Sequence, residues 1–103
     1  MKTLLLTSLS VAVLSLSASA TADQGLAQKN ACMSCHGVDK KIVGPAFNDV
    51  AKKYAGDKTA AAKLMAKVKT GTKGAWGEIP MPPNPQVSDA DNKKIIDWVL
   101  SLK

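Results

Sequence analysis

Apolar residues along this chain recur at helical spacing in four stretches, with no convincing strand-like alternation. The first stretch runs from about Asp23 to the cysteines at 32 and 35. Leu26, Ala27 and Ala31 share one face, and Asp23 is an acceptable N-cap. The second opens at Pro45, a residue suited to a first helical turn. It carries Phe47, Val50, Ala51 and Tyr54 as an i, i+3, i+4, i+7 stripe and stops at Gly56. The third spans about Lys58 to Thr70, where Ala61, Leu64, Met65 and Val68 repeat the stripe and Gly71 takes the C-capping place. The fourth starts at Ser88, with Asp91 three residues on in a variant of the capping box. Ile95, Val99 and Leu102 line its face, broadened by Ile96 and Trp98. The pattern predicts an all-α domain of about four helices.

Two connections interrupt this pattern. Residues 37–44 hold two Gly and a Lys pair and read as a loop. Residues 71–87 hold three Gly and four Pro, including Pro80-Met81-Pro82-Pro83, a density that no regular element survives. Long loops of this kind are functional or disordered. Trp76, Ile79 and Met81 favour order, because apolar side chains of that size gain from burial.

The first 22 residues stand apart from the helical pattern. Lys2 precedes an apolar stretch from Leu4 to Leu16, followed by the overlapping small-residue signals Ala18-Ser19-Ala20 and Ala20-Thr21-Ala22. This is the layout of a secretory signal peptide, and the stretch falls short of the roughly 20 residues a membrane-spanning helix needs. Cleavage after Ala22 is expected, with the cut after Ala20 as the alternative. The remaining domain, 23–103, would then lie in the periplasm with no membrane span.

That domain carries 13 of the 14 Lys against 8 acidic residues, a formal charge of +5, and no Arg. Arg is the usual bidentate phosphate reader, and no nucleic-acid motif appears. The scattered Lys read first as a solvated surface and second as a docking face for an acidic partner. A domain this small has a thin core, with four aromatics: Phe47, Tyr54, Trp76 and Trp98. A bound group is expected to fill it.

Cys32-Met33-Ser34-Cys35-His36 names that group. C-x-x-C-H is the attachment motif of a covalent haem. Two cysteines three apart on a bent turn reach two vinyl groups on one haem edge, and the following His reaches the iron. Structural zinc needs four ligands, and the chain offers two Cys and one His. A thioredoxin-like pair expects a βαβ pattern, and a plain disulfide leaves the His and the thin core unexplained.

The second axial ligand comes from few candidates. Met1 leaves with the signal, Met33 lies inside the pentapeptide, and Met65 belongs to the third helix's stripe, where a core Met is the simpler reading. Met81 sits 45 residues after His36. The prolines around it restrict the backbone and reduce the entropy lost on fixing its thioether. The reading is one covalent haem c ligated by His36 and Met81.

The chain resembles the small bacterial class I cytochromes c, specifically the short cytochrome c-551/c-552 (cytochrome c8) group. The likeness covers 23–103 and rests on the pentapeptide, Val43-Gly44-Pro45, Trp76-Gly77-Glu78-Ile79-Pro80-Met81-Pro82-Pro83-Asn84, and the closing Trp98-Val99-Leu100-Ser101-Leu102-Lys103. It implies the class I cytochrome c fold, with about four helices around the haem. It further implies that the Pro45 carbonyl binds the distal nitrogen of His36, that Trp76 donates to a haem propionate and that Asn84 lies near the Met81 sulfur. Lys67 stands where relatives often have a propionate-binding Arg. Ala27 stands where they are often aromatic, so Met33 and Tyr54 are expected to supply packing there.

Iron held on both sides has no open position for substrate. The expected role is therefore one-electron transfer, without catalysis, by a diffusible monomer. Thioether ligation and burial favour the ferrous state and raise the potential. Expected partners are redox proteins: a membrane cytochrome complex, an oxidase, a nitrite reductase or a cytochrome c peroxidase. The competing classes are a haem enzyme or gas binder with high-spin iron, and a haem-free protein with two alkylatable thiols.

Overall fold

The computed structural model describes residues 20–102 together with Ser10 and Ala12. The predicted signal peptide, 1–22, lies almost wholly outside the described residues. Four helices appear: α1 (Ala20–Lys29), α2 (Phe47–Lys53), α3 (Ala60–Thr70) and α4 (Asp89–Ser101), with a 3₁₀ turn at Cys32–Ser34. Among the described residues the only β-type pairings are two isolated bridges, His36 with Lys41 and Thr72 with Met81. No described helix is long and apolar enough to cross a membrane.

α1 begins at Ala20, so Asp23 lies in its first turn instead of capping it; the other departures from the predicted bounds have local physical causes. α1 stops at Lys29 rather than running to the cysteines. The backbone and side-chain N–H groups of Asn30 both donate to the Leu26 carbonyl, at 3.0 and 2.9 Å. Ala31 then takes left-handed torsions, φ 64°, which turns the chain into the 3₁₀ segment. α2 begins at Phe47, two residues after Pro45. Ala46 is extended at ψ 141°, and its carbonyl accepts from Asp49 and Val50 N–H at 3.0 and 3.1 Å. Pro45 therefore lies outside the helix with its carbonyl turned away from the helical ladder.

α3 begins at Ala60 rather than Lys58, because Asp57 organises a turn ahead of it. One Asp57 carboxylate oxygen accepts from the Thr59 N–H at 2.8 Å and the Thr59 hydroxyl at 2.7 Å, and the other meets Lys63 at 3.1 Å. Bonds from Thr59, then Lys63, hold the Asp57 pKa down at about 2. Gly71 closes α3, donating to the Lys67 carbonyl at 2.8 Å. α4 starts at its predicted cap, with Ser88 Oγ accepting from Asp91 N–H at 3.1 Å.

α4 packs against each of the other three helices. Its Ile95, Ile96, Trp98 and Val99 meet Phe47 and Val50 of α2, Leu64 of α3 and Ala27 of α1 in one core. Ala27 is fully buried, with Met33 and Tyr54 packed at the edge of the same cluster. Asn92 is buried among these groups and donates to the Met65 carbonyl at 3.0 Å, tying α4 to α3. Val87, on the Pro-rich loop, is also core, so the loop's end is anchored where α4 begins.

Candidate functional site

A cavity of about 370 Å³ opens between the α1–α2 connection and the 71–87 loop. That lies in the range of small-molecule and cofactor sites. Cys35, His36 and Pro45 line it from one segment, and Trp76 and Met81 from the other, with Lys67 contributed by α3. Val43, Trp76 and Ile79 remain 46, 39 and 67 % exposed, and all three face this cavity.

The 3₁₀ turn sets the first wall. The His36 N–H donates to the Cys32 carbonyl at 3.0 Å, while Val43 and Gly44 N–H converge on the Cys35 carbonyl at 3.1 and 2.7 Å. The His36 Nδ1 lies 2.8 Å from the Pro45 carbonyl. A carbonyl only accepts, so Nδ1 carries the proton and Nε2 keeps its lone pair in the neutral ring. Phe47 stacks on the imidazole at 4.8 Å between centroids, with its edge-to-face partner Trp98 at 5.6 Å behind it. A Cβ at position 44 would come within 2.5 Å of the imidazole. Only glycine lets the chain pass this close to the ring.

The loop sets the second wall. Thr72 and Met81 exchange backbone bonds, Thr72 N–H to Met81 carbonyl at 3.0 Å and the reverse at 2.8 Å. The Asn84 N–H donates to the Val68 carbonyl at 2.8 Å. Met81 is thus held by backbone pairing as well as by its flanking prolines. Gly71 has φ 77°, and a Cβ there would meet the Met81 carbonyl at 2.7 Å. Glycine again sits behind the residue presented to the cavity.

The remaining predicted residues separate. Lys67 lines the cavity and donates to the Tyr54 hydroxyl at 3.0 Å. Trp76 lines it beneath the Lys53 ammonium, which stands 4.4 Å from a Trp76 ring centroid. Asn84 does not line it. Its amide donates to the Pro82 carbonyl at 3.0 Å and accepts from Gln86 at 3.3 Å. Cys32 is likewise outside the lining and packs at the edge of the core. Burial pushes the Cys32 pKa up, a backbone hydrogen bond opposes it, and the nearby Cys35 adds a smaller rise.

Sequence reasoning did not find Gly44, Gly71, Phe47 or Lys53 as parts of the site. Their contacts join segments far apart in the chain, and no local pattern encodes them. The residues fit a haem: apolar walls, an imidazole with Nε2 free, a thioether on the same cavity and two cationic side chains, Lys41 and Lys67, on its lining.

Comparisons with known proteins agree. The Cytochrome c family model matches residues 22–103. The chain is 50% identical over 103 residues to the cytochrome c-552 of Nitrosomonas europaea, covering 100% of both. It is 54% identical over 84 residues to the cytochrome c-551 of Allochromatium vinosum, covering 82% of this chain and 89% of that one. The crystal structure of wild-type Nitrosomonas europaea cytochrome c552 matches with a TM-score of 0.76 at 55% identity, covering 78% of this chain and 99% of that one.

Proposed function

The chain belongs to the cytochrome c family and has the class I cytochrome c fold, and from that premise we propose that it is a diffusible periplasmic one-electron carrier between respiratory redox partners. A cytochrome c is an electron-transfer protein rather than an enzyme, and its cofactor is haem c. When bound, the haem iron supplies reversible exchange between the ferrous and ferric states.

In this reading Cys32 and Cys35 would attach the haem through two thioether sulfurs, and His36 Nε2 and the Met81 sulfur would hold its iron. Pro45 orients the imidazole and strengthens it as an electron-pair donor by accepting a hydrogen bond from Nδ1–H. The thioether and the apolar side chains of Val43 and Ile79 keep water out and favour the less charged ferrous state. Trp76 and Lys67 offer an indole N–H and a cation to the propionates. Asn84 acts on Met81 through the loop, since its amide holds the Pro82 carbonyl directly after Met81.

One observation carries the proposal. A single cavity takes His36, its proton fixed on Nδ1 by Pro45, and Met81, fixed by paired bonds to Thr72. Two such ligands leave no position for substrate. Potentiometric titration of the purified protein should follow a one-electron curve, with low-spin iron in both states and no carbon monoxide uptake by the native ferrous form. High-spin iron or ready carbon monoxide binding would assign the protein to the gas-binding or peroxidase class instead.

The signal-like segment 1–22 supports export, with the cut after Ala22 or Ala20, and the intact mass of the protein from its host distinguishes the two. The lysine-rich surface suits brief, weak docking on acidic faces of a membrane cytochrome complex as donor. An oxidase, nitrite reductase or cytochrome c peroxidase would be the acceptor.

A further inference from the structure

The tip of the Met81 loop, residues 73–80, lies beyond the Thr72–Met81 bridge and carries Trp76, Glu78 and Ile79 along the cavity wall. Among the described residues its backbone makes no hydrogen bond to other backbone. One side chain from outside the loop does bind it. Lys53, the last residue of α2, donates to the Ala75 carbonyl at 3.2 Å, and the same ammonium lies 4.4 Å from a Trp76 ring centroid. The two contacts fall on adjacent residues, so one cation grips both the backbone of the tip and the face of its indole.

We propose that Lys53 is a positioning residue that latches the tip of the Met81 loop over the haem cavity. The proposal rests on the reading of this cavity as the haem site. α2 follows directly from the segment that fixes His36 through Pro45 and Phe47, and Lys53 ends it. The latch therefore joins the His36 side of the cavity to the Met81 side across the protein's surface. A tip that lifts admits water beside the iron, and solvent access is one of the factors that sets a haem's potential. Lys53 acts by keeping that tip down, without touching the iron or its ligands.

The test compares ferrous holoprotein of the wild type with K53M, which keeps the aliphatic stem, K53R, which keeps a cation with donors, and K52M, which removes the same charge one residue away. Hydrogen exchange at the Thr72 and Met81 amides reports opening of the bridge, and nitrogen relaxation reports motion of 74–79. With an exposed cation–π contact and one hydrogen bond lost, bridge exchange in K53M should quicken about three- to tenfold. Order should fall at 74–79, and the α4 amides should not change. K53R and K52M should match the wild type. Wild-type exchange in K53M, equal acceleration in K52M, or failure of K53R to restore slow exchange would overturn the latch. The red thioether band of the wild type, recorded after the same preparation is oxidised to the ferric form, judges the ligand reading separately. Its absence would remove Met81 from the iron while leaving the amide measurements to decide the latch.

Discussion

His36 shows how much a single side chain depends on residues that carry no chemistry. The pentapeptide is what marks it as fitting a covalent haem site, because few other uses of C-x-x-C-H suit a small helical chain with one His. Its orientation is set elsewhere, by the Pro45 carbonyl at 2.8 Å, the Phe47 ring and the absence of a Cβ at position 44. Gly44 was not legible as a site residue, since a glycine in a loop looks the same whether or not a ring passes over it. Gly44→Ala should force the imidazole or the 43–45 backbone aside and cost about 1–3 kcal/mol. Guanidinium unfolding of the holoprotein would measure this, and unchanged stability would mean that the ring does not rest on Gly44. Trp76 and Ile79 departed from a simpler expectation. Their size suggested burial, yet they remain exposed toward the cavity, and burial for them means cover by a bound group rather than by protein.

At the scale of elements, the spacing of apolar residues was enough to place all four helices, because each buries one stripe against α4 or the shared core. Their ends were less legible where capping is indirect. Ser88 announces α4 and caps it, so Ser88→Ala should lower thermal stability by about 1 kcal/mol. Asp57 starts α3 from a turn three residues ahead of the helix, through Thr59 rather than as its cap. Its carboxyl is held at about 2, against an ordinary value of 3.8. A lowered pKa contributes stability that is full above the ordinary value and is lost as pH falls through the lowered one. The Thr59 amide signal should therefore titrate with a midpoint near 2. A midpoint at the ordinary carboxylate value would show that Asp57 is not bonded to Thr59 in solution.

At the scale of the molecule, the core joins the four helices on one side while the cavity separates His36 from Met81 on the other. The haem then belongs to the fold as much as to the function, and the chain without it should be poorly ordered. Well-dispersed amide signals from the apoprotein would contradict this. The formal charge of +5 on residues 23–103 should make electron exchange with an anionic reagent slow as salt rises and the screening length shortens to about 10 Å at 0.1 M. The segment that carries Met81 was legible as a long loop from its prolines and glycines. Its closure by Thr72 was not, since a two-residue bridge leaves no alternating pattern. The central claim is that this loop delivers Met81 to the iron opposite His36 and so makes the protein a carrier. The absorption spectrum of ferric Met81→Ala beside the wild type tests it most directly. The account predicts that the haem stays attached, that the thioether-to-iron band in the red is present in the wild type and gone in the variant, and that the variant binds added imidazole readily. A red band that survives the substitution would contradict it.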